Sequence, residues 1–291
     1  MTRHGAVRAL AGGLGIVAVL VTCAIAVAGV LVALGLPDEG RAGDPPPVSA
    51  AQPRPSELVV ALGLGDPVLQ AGVVRDGQVI LARGLEVDVA RDLARRLGIP
   101  RVRFVYVPSG SRLLAAGARP WNVSIAAIRP GKAVAAVADL SDPYLGTDQA
   151  VVLRRGLPKP SSLADLRHRI TCALRGSDGA GVAGSVGPAA RRMLVASPER
   201  LLELVQTGAC DAAVVDADEV GRFVAGRGVL LGPVSARIES GPGYVVAVTR
   251  GGPVAVADVD RALARMRADG TMHRLTRRWL GIDPARLRPL G

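Results

Sequence analysis

The sequence predicts an α/β protein built on parallel sheets, standing behind an N-terminal membrane-spanning helix. Short apolar runs rich in β-branched residues recur along the chain after residue 57. Amphipathic helical patterns lie between several of them, the alternation expected of parallel α/β sheets. One uncharged stretch near the N-terminus is too long for an ordinary core helix.

That stretch runs from Ala9 to Leu36, 28 residues rich in Val, Leu, Ala and Ile, where about 20 suffice to cross the hydrocarbon core. Arg3, His4 and Arg8 precede it, and Asp38, Glu39 and Asp44 follow. The positive-inside tendency therefore puts residues 1–8 in the cytoplasm and everything after Pro37 outside, as a single-pass protein of the cell membrane. Two other fates stay open. Cleavage as a secretory signal is opposed by the length of the run. Lipidation at Cys23, after Leu20, Val21 and Thr22, would leave a further apolar stretch at the mature end. Residues 37–57 carry Pro45, Pro46, Pro47, Pro53 and Pro55 among glycine, serine and charges. They cannot bury a core and form a spacer.

With 291 residues, 49% of them apolar, the chain is long enough for one large or two small well-buried domains. A formal net charge of +11, taken alone, suggests nucleic acid or an anionic surface as partner. The distribution argues otherwise: arginines are scattered over the whole length, and lysine occurs only at Lys132 and Lys159. No basic block is interleaved with stacking aromatics, so nucleic acid is not an expected partner. Metal-ligand spacing, a nucleophile elbow and a phosphate-binding loop are all missing, so neither a cofactor, a metal nor a catalytic residue is expected.

Along the soluble part, Leu58–Leu64 reads as a buried strand stopped by Gly65, Asp66 and Pro67. Glu86–Leu97 places Val87, Val89, Ala90, Leu93, Ala94 and Leu97 on one helical face, with Asp88, Arg91, Asp92, Arg95 and Arg96 opposite; Gly98 caps it. Further strands are expected at 102–107, 123–128, 150–153, 169–174, 212–215 and 244–248.

Four ordered segments resemble family 3 of the bacterial extracellular solute-binding proteins, the amino-acid type, over about residues 58–283. They are GLEVDVARDLARRLG from Gly84, VADLSDPYLGTDQAVVLRR from Val137, GACDAAVVDADEV from Gly208 and VDRALARMRADGTMHRLTRRWLG from Val259. The resemblance implies a two-lobed periplasmic-binding-protein-like fold of type II. Lobe 1 would hold residues 58–149, lobe 2 residues 150–238, and residues 239–291 would return to lobe 1 and end in helices. Crossovers would lie near Asp148–Val152 and Ser235–Gly243. It further implies a small polar ligand, an amino acid by type, held in the cleft and passed to the permease of an ABC importer by hinge closure. A tethered sensor with another ligand or a protein partner, and a dehydratase-like enzyme on the same scaffold, remain as alternatives.

An amino-acid zwitterion needs a carboxylate for its ammonium and a cation or oriented amides for its own carboxylate, because burying either charge unpaired is costly. By resemblance Asp216, ending the second-lobe strand, takes the ammonium. Ser177, in the turn Arg175-Gly176-Ser177-Asp178-Gly179, is a donor at a helix N-terminus. Asp178 beside it faces the cleft or caps that helix, the second role being favoured. The family's carboxylate-gripping arginine is replaced by Val134 on a gap-free count. Arg129 and Lys132 stand in the same loop and either supply the cation from a shifted position or are solvated loop charges, the second role being slightly favoured for each. Asp66 faces the cleft or merely shapes its turn. The usual pocket aromatic is replaced by Val68 and Leu69; Trp121 and Tyr144 are the first-lobe aromatics near these loops. Cys172 and Cys210 belong to elements that are neighbours in the family's second lobe, and an external location permits a disulfide between them.

Overall fold

The computed structural model describes residues 55–108, 119–185, 191–220 and 231–290, with backbone alone at 231–233. The expected membrane helix and residues 37–54 of the spacer lie outside the described residues. Among those described, no helix is long and apolar enough to cross a membrane.

Lobe 1 is organised on β1 (Glu57–Leu62), whose Leu58, Val60, Ala61 and Leu62 are fully buried. β1 pairs in parallel with β4 (Arg101–Tyr106) on one side and β5 (Val123–Ile128) on the other. The expectation of parallel sheets holds at this centre and is corrected at the flanks. β2 (Ala71–Arg75) and β3 (Gln78–Arg83) form a hairpin added antiparallel to β4. β12 (Val245–Thr249) lies antiparallel between β5 and the short β6 (Ala138–Leu140). The described sheet has the order β2-β3-β4-β1-β5-β12-β6. The reason is topological: β12 comes back from the other lobe and enters from the opposite end.

Helix α1 (Leu85–Leu97) packs its apolar stripe on this sheet and is stopped by Gly98 in the left-handed conformation, as its sequence predicts. Its polar face is narrower than expected: Asp92 is buried and bonded to Arg95 and Arg96. The 13-residue α5 (Val256–Ala268) and α6 (Thr271–Leu280) share the core with α1. The Trp279 indole N–H donates to Asp88 at 2.9 Å.

Residues 141–148 carry the chain out of this sheet. Lobe 2 has a second sheet of order β11-β7-β10-β8-β9. Its strands are β7 (Gln149–Arg154), β8 (Ile170–Leu174), β9 (Arg191–Val195), β10 (Ala212–Asp216) and β11 (Leu231–Ile238). β8 runs parallel to β9 and β10, and β7 antiparallel to β10 and β11. Helices α3 (Asp178–Ser185) and α4 (Pro198–Thr207) flank it, and the remaining α2 (Lys132–Ala135) is a single turn in lobe 1. Residues 239–244 bring the chain back. The two connections bond to each other, Tyr144 N–H to the Tyr244 carbonyl at 2.9 Å and Tyr244 N–H to the Leu145 carbonyl at 2.7 Å. Gly243 sits there at φ 81, where a Cβ would stand 2.8 Å from the Leu145 oxygen.

Cys172 and Cys210 are disulfide-bonded, both fully buried, with Cα atoms 6.1 Å apart. Cys172 lies in β8, whereas Cys210 precedes β10 by two residues instead of beginning it. The bond closes a segment of 38 residues, for which loop-closure entropy gives roughly 4 kcal/mol of stabilisation. Cys172→Ala/Cys210→Ala is therefore expected to lower the denaturation midpoint in urea substantially. Reductant should do the same to the wild type only once lobe 2 opens. An unchanged midpoint in the double variant would contradict the assignment.

Candidate functional site

β1 and β5 run parallel, so the loops at their carboxyl ends emerge on the same side, and Asp216 at the end of β10 lines the same cavity as these loops. The cavity measures about 490 Å3, within the range of small-molecule sites. Lobe 1 lines it with Asp66, Gln70, Ser124, Arg129 and Val134, and lobe 2 with Asp216, Asp218 and Glu219; Tyr244 comes from the returning connection.

The lobe 1 rim is fixed from below by Glu86, the second residue of α1, which is fully buried. Gln70 donates to Glu86 through Nε2, while its Oε1 accepts the amides of Gly63 at 2.7 Å and Leu64 at 2.9 Å. The Ala127 amide donates to Glu86 Oε1 at 2.7 Å, and the Tyr144 hydroxyl donates to the same oxygen. Leu64 and Ala127 hold positive φ values of 54 and 47, a strained conformation for such residues. Both aim their amides at this network. Burial raises the Glu86 carboxyl to about 7, the three hydrogen bonds opposing the shift and the Asp66 charge adding to it.

Above this floor, the Arg129 guanidinium lies 5.6 Å from the centre of the Tyr244 ring and pairs across the cleft with Asp178 at 2.9 Å. Both members of that pair are half exposed, so its contribution to stability is small. Asp216 accepts a hydrogen bond from Gln149 Nε2 at 2.5 Å. Asp218 is buried and accepts from the Tyr244 hydroxyl at 3.3 Å. Burial, and then the adjacent Asp216 charge, push its carboxyl up to about 6. The Tyr244 hydroxyl is itself held well above its ordinary range, by burial and then by the Asp218 charge.

Of the residues expected at the site, Asp66, Arg129 and Asp216 line one cavity, and Asp178 reaches it through Arg129. Ser177 is occupied otherwise: its hydroxyl donates to the Leu174 carbonyl at 2.9 Å and accepts the Ala180 amide at 3.2 Å. Ser177 thus caps α3, the role favoured for Asp178, which instead is the first residue of that helix. Lys132 is exposed on α2 and does not line the cavity. Val134, at the position the resemblance gives to an arginine, does line it. Tyr144 and Trp121 are buried away from it, Tyr144 on Glu86.

Glu86, Asp218, Glu219 and Tyr244 were not foreseen. Glu86 had a legible signal, since Glu86, Ala90, Leu93 and Leu97 share one helical stripe, so the acid falls on the buried face. The alternation Asp216, Asp218 after an apolar strand was equally visible. Among the described residues no group of His, Cys, Asp and Glu is arranged to hold a metal ion.

Two lobes, each with its own mixed sheet and joined by paired connections, enclose a polar cavity of a size that suits a small solute. The sequence profile of bacterial extracellular solute-binding proteins, family 3, matches residues 74–282, and the chain belongs to that family. It is 26% identical over 213 residues to the glutamate-binding protein GluB of Corynebacterium efficiens, covering 69% of this chain and 72% of that one. Its fold is similar to the open, unliganded L-cystine solute receptor of Neisseria gonorrhoeae (TM-score 0.62, 22% identity, 78% of this chain and 94% of the other). It is also similar to an ancestral cyclohexadienyl dehydratase (TM-score 0.60, 20% identity, 78% and 93%). A receptor and an enzyme on one scaffold show that the fold alone does not decide between binding and turnover.

The Glu86 carboxyl titrates near 4.5 when free and about 7 in the folded protein. Between those values the native state keeps a proton that the unfolded chain releases, so stability falls as pH rises through this window, by about 3 kcal/mol. In Glu86→Gln that part of the slope is expected to vanish. The difference in urea unfolding free energy between variant and wild type, followed from pH 4.5 to 7, measures it. A constant difference would refute the buried-acid assignment.

Proposed function

We propose that the protein is a membrane-tethered extracytoplasmic receptor that captures an amino acid in the cleft between its lobes and delivers it to an ABC importer. The observation that carries the reading is the opposition, within one cavity, of Asp216 from lobe 2 and Arg129 from lobe 1. Asp216 takes the ligand ammonium. Arg129, standing five residues before the apolar Val134, takes the ligand carboxylate, exchanging Asp178 for it. An ion pair of ligand with each lobe draws the lobes together about the paired connections at 141–148 and 239–244. Family membership supports the amino-acid class, and the uncharged run 9–36 supports the tether. The dehydratase reading has no separate support in the cleft.

Val134 in the place of the family's arginine is the one feature that favours a second reading, a tethered sensor for a ligand that is not an amino acid. Thermal unfolding of the full-length chain in mild detergent, screened against the common amino acids, separates the two. A ligand at 100 times its dissociation constant should add about 2.7 kcal/mol, and Asp216→Ala or Arg129→Ala should abolish the shift. A shift with no amino acid, from a chain that unfolds cooperatively, would leave only the sensor.

A further inference from the structure

The connections at 141–148 and 239–244 are not the last link between the lobes. After α6, which packs in lobe 1, the chain crosses once more. Ile282 touches the cores of both lobes, and Asp283 is held to α6 through its Oδ2, 2.6 Å from His273 Nδ1. Beyond a single 3-10 turn at Pro284–Arg286, Leu287 packs on the lobe 2 core. Leu290, 4% exposed, is buried with Val151, Leu153, Ala236 and Ile238 of the same lobe. The backbone is fixed there as well. Arg237 of β11 donates its amide to the Arg288 carbonyl at 2.9 Å and accepts the Leu290 amide at 2.8 Å, so that Pro289 bridges to it like a residue of an added parallel strand.

This crossing is anchored at both ends and slack in the middle. Ala285 and Arg286 are exposed. Their turn stands off from the outgoing connection across a second cavity, of about 420 Å3, with Leu145, Gly146 and Asp148 on one wall and Pro284, Ala285 and Arg286 on another. No residue lines both this cavity and the cleft. The Arg237 side chain joins the two walls: Nη1 donates to Asp148 Oδ2 at 2.6 Å and Nε to the Leu287 carbonyl at 3.3 Å. Movement of the outgoing connection and of the last crossing thus bears on one guanidinium.

On the cleft side the lobes meet through Arg129 and Asp178, at 2.9 Å. Both side chains are half exposed, and a pair of that kind is too weak to fix the angle between two lobes. Two neighbouring connections leave a hinge free to turn, whereas a third, attached to both lobes, limits the turn to its own reach. We propose that residues 282–290 are a strap that keeps the lobes of the empty protein close enough for Arg129 and Asp178 to meet. A receptor restrained in this way loses less affinity to the closing step, because the apparent dissociation constant is the intrinsic one divided by the fraction of molecules already competent to bind. The inference holds whichever ligand the cleft takes.

The test lengthens the strap without detaching it. A flexible glycine-serine insertion of about six residues between Ala285 and Arg286 leaves every anchor in place. A second variant, stopped after Gly281, removes the strap altogether. Nitroxides on Arg75→Cys in lobe 1 and Glu199→Cys in lobe 2, both exposed positions, in a Cys23→Ser background, report the distance between the lobes by pulsed electron paramagnetic resonance. The full-length chain is measured in mild detergent without ligand. Each strap variant should give a longer and broader distance distribution than the parent, and Arg129→Ala should change it little. Either strap variant decides the matter, provided it still unfolds cooperatively in urea. A distribution that stays at the parent's position and width would overturn the proposal, and so would one that widens as much in Arg129→Ala as in the lengthened strap.

Discussion

A single carboxylate, that of Glu86, ties together three segments that are far apart in sequence and that all reach the cleft: the loop after β1 through Gln70, the end of β5 through Ala127, and the outgoing connection through Tyr144. Among the described residues no cation is in contact with it: three converging donors and the N-terminal end of α1 only partly offset the burial that raises its carboxyl to about 7. That arrangement demands local conformations that nothing else would select. Leu64 and Ala127 accept positive φ so that their amides point inward. Gly84 must be glycine, because at φ 128 a Cβ would run into the Leu69 carbonyl, and only this close passage sets Glu86 at the top of α1. Buried polar groups that are fully satisfied specify one arrangement more sharply than apolar packing does. Here the arrangement specified is the rim that bears Asp66 and Arg129.

The cleft above is electrostatically asymmetric. Lobe 2 contributes acids at the end of β10, and lobe 1 contributes Arg129, whose side chain lies against an aromatic ring on the returning connection. The Arg129–Asp178 pair gives the protein an anion of its own at the cation to which we assign a ligand carboxylate. Under that proposal a ligand competes with the protein for the cation instead of filling an unpaired site, which would lower affinity and favour release.

Much of the framework could be read from the chain. A strand at 123–128, one at 212–215 and a helix at 86–97 with its glycine cap follow from apolar period and terminators, each within one residue of the observed element, and the proximity of Cys172 to Cys210 follows from the family resemblance. The hairpin of β2 and β3 escaped notice because its strands are largely exposed, with Val73, Val74 and Leu81 facing solvent, and so show no apolar period. Its Asp76-Gly77 turn, both residues at positive φ, was the available signal. The antiparallel return of β12 was illegible, since local pattern carries no strand direction. In the site, Asp66 and Arg129 follow from strand ends and Asp216 from the family resemblance, whereas Ser177 and Lys132 looked equally suitable and were separated from the cavity by where α3 and α2 begin. Tyr244 joins the site through the hydrogen-bonded pairing of two connections about a hundred residues apart in sequence, a relation no local window contains.

The position of β12 has a consequence for how the protein comes into being. Val123 of β5 pairs with Val248 of β12, and β6 is held to its sheet through β12 alone among the described strands. All of lobe 2 is synthesised between them. A chain emerging from its N-terminus therefore cannot complete the first sheet until nearly every residue has appeared, and contacts so distant along the chain form slowly. Lateness of this kind falls on lobe 1 alone, since the lobe 2 sheet uses only residues 149–238, so the insertion that creates a cleft also lets the second lobe close its sheet before the first.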